Sequence, residues 1–267
     1  MIYTPPAHSR IHSRTPESRT VSTPLWTARR TSRPVVSRPL TRLNRRFEFE
    51  WLDDRGVQSD VRTAPALPVF EQAFGAFAHG VLVQTAEGPV AVEDLVPGMV
   101  LDCAGGGTSR LLWKGAITLV PGAPSLADQP DRLYRVMPDA FGLARPVQDQ
   151  TFGPHARRFD RDAKLRASLG TDAVLVPLAA LADGTTVIEV TPVSATRVYH
   201  LACESHETIL AAGLEVESYH PGPEAPYSLS EEMMQHFMAF FPHLRSIRDF
   251  GKMLAPRIAA DELSALI

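Results

Sequence analysis

Two cysteines and nine histidines are among the side chains of this 267-residue chain with intrinsic capacity for nucleophilic, proton-transfer or metal-binding work. Cys103 and Cys203 are too few for a disulfide-stapled scaffold and lack the paired spacing of a structural zinc site. The ordinary reading for each is a small buried residue in a strand. His200 and His206 stand six apart, which on an unbroken strand puts both on one face with Cys203 on the other. That is a weak metal pattern beside two ordinary strand histidines. Gly105-Gly106-Gly107 is not followed by Gly-Lys-Ser or Gly-Lys-Thr and lies between short strands, so it reads as a hairpin loop, not a phosphate cradle. Neither a Gly-x-Ser-x-Gly elbow nor a His-Glu-x-x-His helix occurs. No cofactor and no metal is expected.

The elements that must position these residues fall into four stretches. Residues 1–46 hold ten Arg, thirteen Ser or Thr and six Pro, with Glu17 the only acid, a formal +9 that leaves −12 on residues 47–267. Such a segment buries too little apolar surface to offset its ordering entropy and is expected to be a disordered arm. It reads as a solvated tail, or as an arm for an anionic partner such as phosphate or anionic lipid, without the interleaved aromatics of a nucleic-acid stacking platform. Its Arg- and Ser-rich, acid-poor composition is also that of an organelle transit peptide. Residues 47–70 read as a short strand, Phe47, Phe49 and Trp51 alternating with Glu48, Glu50 and Leu52, followed by a Pro-interrupted linker.

Residues 71–222 form the body. Short apolar and β-branched runs (81–83, 90–92, 100–101, 111–113, 116–120, 174–176, 187–190 and 198–201) are separated by turn signals such as Pro97-Gly98, Pro121-Gly122 and Asp183-Gly184. That spacing predicts an all-β architecture rather than a doubly wound sheet. Residues 223–267 turn helical. Ser228 and Glu231 stand in capping-box spacing, Met233, Phe237, Phe240 and Phe241 recur on one helix face, Pro242 stops the helix, and a second short helix is expected over 259–266. The Met and Phe stripe either packs back onto the β body or docks a protein partner. No run of eighteen apolar residues and no N-terminal stretch of signal-peptide type occurs, so neither a membrane span nor Sec export is expected, and cytoplasmic residence is.

The run Ala76-Phe77-Ala78-His79-Gly80-Val81, the turn Thr85-Ala86-Glu87-Gly88, then Val92-Glu93-Asp94-Leu95, Gly98-Met99-Val100 and Trp113-Lys114-Gly115 resemble the opening of the Hint (Hedgehog/intein) domain, in particular its bacterial type 2 branch. Val198-Tyr199-His200-Leu201, Ser205-His206-Glu207 and Ala212 to Gly222 resemble its closing strands. The resemblance implies a mainly β, flattened horseshoe fold whose first and last strands lie side by side, with a short helical C-terminal extension. In active relatives the first-residue thiol attacks the carbonyl just upstream and turns an amide into a thioester. A histidine of the second conserved block polarises that amide and a later histidine helps resolve it. Such a rearrangement needs a pre-positioned nucleophile and protonation of the leaving nitrogen.

Set against that pattern, Ala76 occupies the nucleophile position, and a methyl group cannot attack. Val81 replaces the family Thr and Met99 stands where Asp is common. Gly153-Pro154-His155 is one residue shorter than Ser-Pro-x-His, so His155 reads either as the remnant of the polarising histidine or as a loop histidine. His206 matches the closing-block histidine, while Glu217-Ser218 stands where inteins carry His-Asn. The preferred expectation is therefore a degenerate Hint module, without acyl shift or splicing, kept for structure or for interaction with a protein partner. The alternative is residual self-processing by His206, His155 and His79 around the old cleft with water or an external nucleophile. A third reading is an adaptor in which the Arg arm binds an anionic partner.

Overall fold

The computed structural model describes residues 44–123, 132–162 and 167–266. The expected disordered arm lies, up to residue 43, outside the described residues. Fifteen strands occur among those described: β1 (Asn44–Asp53), β2 (Gly56–Pro65), β3 (Phe77–Ala78), β4 (Leu82–Thr85), β5 (Gly88–Ala91), β6 (Val100–Asp102), β7 (Thr108–Leu119), β8 (Leu133–Val136), β9 (Gln150–Phe152), β10 (Arg157–Asp160), β11 (Val174–Pro177), β12 (Val187–Val190), β13 (Thr196–Cys203), β14 (Thr208–Ala211) and β15 (Leu214–Glu217). The sheet runs β11-β10-β15-β14-β4-β6-β7-β13-β3-β9-β8-β12, with β5 on β4 and the β1–β2 hairpin attached through β1 to β7. All these ladders are antiparallel. The opening strands sit beside the closing ones, β3 on β13 and β4 on β14, and the mainly β expectation holds.

Three boundaries differ from the expectation, each for a tertiary reason. β1 begins at Asn44, so residues 44–46, assigned to the arm, are the first rungs of a ladder in which Arg45 faces Ala64. The linker expected after the first strand is instead β2, its Pro65 closing the ladder at the outer edge, where a missing N–H costs no pairing. The hairpin turn is set by Arg55 N–H donating to Asp53 Oδ1 at 2.8 Å and by Gly56 at φ +103°. The runs expected as separate strands at 111–113 and 116–120 are one strand, β7, which pairs with β6, β13 and β1 in turn. Gly115 permits this, because a Cβ there would overlap the rings of Trp113 and Phe74.

Two apolar clusters share the sheet. One is aliphatic and lies among the body strands, with Ala76, Phe77, Val83, Leu101, Leu201 and Val216 in it. The other is aromatic and joins residues on both sides of the body: Phe47, Phe70, Phe74, Trp113, Phe237, Phe240 and Phe241. Phe70 belongs to α1 (Pro68–Glu71), which opens on the proline that suits a first helical position. After the body come α2 (Ala225–Ser228), α3 (Glu231–Met238) and α4 (Ala260–Leu266). The cap of α3 is Ser230, whose hydroxyl accepts from Met233 N–H at 3.3 Å, rather than Ser228, which ends α2. The helix stops at Met238, before Pro242, yet Phe240 and Phe241 continue the buried stripe, and Trp113 Nε1–H donates to the Phe240 carbonyl at 2.7 Å. No helix among the described residues is long and apolar enough to cross a membrane.

Candidate functional site

The Gly75–Ala76 peptide enters the body at the point where α1 hands over to β3, and backbone groups grip it from two sides. Ala76 N–H donates to the Tyr199 carbonyl on β13 at 2.8 Å. The turn after β9 supplies the other side: Gly153 N–H donates to the Ala76 carbonyl at 2.8 Å and His155 N–H to the Gly75 carbonyl at 2.9 Å. Gly153 must be glycine here, since a Cβ would overlap the Gly75 carbonyl oxygen. An N–H aimed at that oxygen is the kind of donor that stabilises an oxyanion developing there. Ala76 itself is fully buried in the aliphatic cluster, and its side chain is a methyl group.

Two histidines flank this peptide. The ring of His155 lies beside Gly75, its Cδ2 3.1 Å from where a Cβ on Gly75 would project. Burial first, then the fields of Arg157, His200 and Arg45, push its pKa down to about 3. His200, on β13 next to Tyr199, has Nδ1 2.9 Å from the Gln72 carbonyl, so Nδ1–H donates and Nε2 carries the lone pair. That Nε2 is buried and has no hydrogen-bond partner among the described residues. Burial pushes the His200 pKa down to about 4, against the opposing effect of the Gln72 carbonyl. Both rings are neutral at pH 7, and His200 keeps a basic nitrogen unused inside the protein. Just upstream, buried Glu71 faces Arg45, with Nε and Oε1 3.1 Å apart. Burial raises the carboxyl's pKa, with Arg45 only partly offsetting it.

A second polar cluster surrounds Glu217 at the end of β15. His206 Nε2 is 3.0 Å from Glu217 Oε1, and Leu254 N–H donates to His206 Nδ1 at 3.0 Å. The tautomer follows: Nδ1 accepts, so Nε2–H donates to the carboxylate. Arg257 Nε stands 2.9 Å from Glu217 Oε1 and Arg157 3.3 Å from Oε2. Burial would raise this carboxyl's pKa, yet the His206 hydrogen bond and the two guanidinia outweigh it and hold the value at about 2.

The histidines read from the sequence as one cleft therefore lie in three settings. His155 reaches the junction. His206 is spent on Glu217 and Leu254, and Glu217 in turn meets Arg157, two residues past His155. His79 is exposed and pairs with Glu93 across 3.3 Å. His200 reads from the sequence as an ordinary strand histidine or, weakly, a metal ligand; the signal for its place here is the register of the closing block against the opening one, Tyr199 opposite Phe77, which puts the next residue beside Gly75–Ala76. His200 and His206 do not converge, and no group of three His, Cys, Asp or Glu suited to a metal ion occurs among the described residues. Neither thiol is activated: burial pushes Cys103 up to about 11, with Glu207 and Asp102 adding to it, and raises Cys203 as well.

A family model described as a Hint domain matches residues 75–223, a span that opens at the gripped junction itself. No curated protein matches the chain.

Proposed function

This chain belongs to the Hint domain family, and from that premise we propose that it keeps the fold as a structural and interaction module and does not process itself. Ala76 carries this reading: the residue held by Tyr199 and Gly153 at the head of the domain has no atom able to attack the Gly75 carbonyl. The upstream flank supports it. Phe47, Phe70 and Phe74 are fully buried against Trp113, Phe237 and Phe240, so a break at Gly75–Ala76 would leave residues 44–75 bound by their aromatic packing. Burial of one such ring contributes about 1.5–3 kcal/mol. In this reading the module fastens the segment before the junction to the helices after the body, and the surface it presents serves a protein partner.

A second reading, residual processing by an external nucleophile, is favoured by the His155 N–H already seated on the Gly75 carbonyl. Intact mass separates the two. Wild-type protein incubated with a strong thiol or hydroxylamine is expected to stay full length, while Ala76→Cys under the same conditions breaks between Gly75 and Ala76. Wild-type fragments at one defined bond would establish the second reading instead.

A further inference from the structure

We propose that residues 251–258 form an intramolecular strap that masks a latent general base, the His206–Glu217 pair. The strap lies beyond the span matched by the family model and touches the closing strands through backbone and side chain together. Leu254 N–H donates to His206 Nδ1 at 3.0 Å. Arg257 reaches Glu217 through Nε at 2.9 Å and the His220 carbonyl through its terminal nitrogen at 2.5 Å. Leu175 N–H donates to the Pro256 carbonyl at 2.9 Å and Ile258 N–H to the Leu175 carbonyl at 3.1 Å, a short parallel bridge onto β11. His220 closes the other end: Nδ1 accepts from Gly222 N–H at 3.0 Å, so Nε2–H faces the Gly251 carbonyl at 3.2 Å.

The shape of the receiving surface agrees. Gly222, at φ +89°, leaves room for the Arg257 guanidinium, which would lie 2.9 Å from a Cβ placed there. Ile258 and Leu263 pin the far side by packing on Val174 and Val176. Between these anchors the strap is thin, with Gly251, Lys252, Leu254 and Pro256 exposed. A segment with few buried apolar groups, held by hydrogen bonds at its surface, opens locally at low cost.

Masking is a matter of lone pairs. With the strap seated, Nδ1 accepts from Leu254 and Nε2–H donates to Glu217, so the imidazole has no free acceptor. With the strap lifted, Nδ1 is bare while Glu217, still neutralised by Arg157, keeps Nε2–H oriented. An imidazole fixed by a carboxylate with its other nitrogen open to solvent can take the proton of a hydroxyl, thiol or water, and the carboxylate stabilises the imidazolium that results. The inference holds whether or not Gly75–Ala76 is ever broken, because the two clusters use different groups.

Histidine carbethoxylation in the full-length protein, resolved by peptide mass, tests it, with exposed His79 as the internal standard. In wild type, His206 is expected to react roughly 100-fold more slowly than His79, and in Leu254→Pro, which deletes the N–H donor but keeps Arg257, at least ~10-fold faster than in wild type, with His200 unchanged. Equal His206 and His79 rates in wild type, or an unaccelerated His206 in a folded Leu254→Pro, would overturn the proposal. Amide hydrogen exchange on wild type guards against a variant that fails to fold. Leu254 N–H is expected to exchange through an opening that leaves the Ile209 and Val216 amides protected, and exchange of all three together would show that the strap has no motion of its own.

Discussion

The junction at Gly75–Ala76 and the cluster around Glu217 are two polar regions of the body, and in the proposed reading they are silent for opposite reasons. At the junction the backbone is fully gripped while side-chain chemistry is incomplete: Ala76 has no nucleophile, and His200 Nε2 has no partner among the described residues. Around Glu217 the side-chain chemistry is complete and saturated, with His206, Arg157 and Arg257 all spent on one carboxylate. In that reading a site is silent either for want of one atom or because every atom is occupied. The first kind of silence is reversed by adding a group, the second by removing one.

The largest effect that sharpens this contrast is expected at Glu217. Glu217→Ala leaves two guanidinia and an imidazole facing a buried void, and removing one partner of a buried charge pair costs about 3–5 kcal/mol. Urea denaturation should show a loss of that size. A loss below about 1 kcal/mol would mean that the cluster behaves like a surface ion pair and that its saturation is incidental.

Acid separates the two regions by pH window. His155 and His200 are held neutral, with folded values near 3 and 4 against an ordinary 6.5. A depressed histidine favours proton uptake by the unfolded chain, so its stabilisation is whole above about 6.5 and is lost as pH falls toward the folded value. Each contributes a slope of about 1.4 kcal/mol per pH unit in that window. Glu217, depressed from 4.5 to about 2, contributes stability present above 4.5 and lost below it. Stability measured against pH should therefore begin to fall near 6.5. The double variant His155→Asn, His200→Asn should roughly halve the slope of the upper limb, since His220 and His243, both lowered to about 4 by burial, keep their own share of it. An unchanged upper limb in that variant would show that the junction histidines are not held neutral.

Gly153→Ala tests the grip itself. Its Cβ would overlap the Gly75 carbonyl oxygen, so the turn must shift. A loss of about 1–3 kcal/mol is expected, as for other overpacked sites. Placed in an Ala76→Cys background, the same change should also slow cleavage at Gly75–Ala76. Cleavage at an unaltered rate would mean that the grip is not what presents this peptide.

The two regions were unequally legible in the sequence. The opening and closing blocks announce themselves, since short apolar runs, turn glycines and motif order are local properties. What escaped depends on partners far along the chain. β2 reads as a linker because prolines interrupt the stretch that ends it, and only its ladder with β1 makes it a strand. His200 gained its role from strand register, and Glu217 from Arg257, which nothing near it in sequence foretells. Ser228 has the capping-box spacing, yet Ser230, with its extended backbone, is the cap. The helical stripe was read in the right place, but Phe240 lies beyond the last turn and is buried by Trp113 and Phe47 rather than by helix periodicity.

His79 should give the smallest effect, and it separates a motif residue from a site residue. It belongs to the opening block, three residues past Ala76, and sequence alone puts it beside His155. In the fold its side chain is 63% exposed and pairs with Glu93, which is itself engaged by Gly80 N–H at 2.9 Å. An exposed pair of this kind is worth about 0–1 kcal/mol, so His79→Ala should leave denaturation within that margin. The comparison to make is in the Ala76→Cys background, where a thiol can attack the Gly75 carbonyl. There His155→Ala, which removes the ring lying beside Gly75, is expected to slow cleavage by roughly 100-fold, the scale of a lost proton-transfer group. His79→Ala in the same background should leave the rate unchanged. If the two variants slow it equally, closeness in sequence was the better guide to the junction than the geometry that holds it, and the division between a gripped site and its surroundings fails.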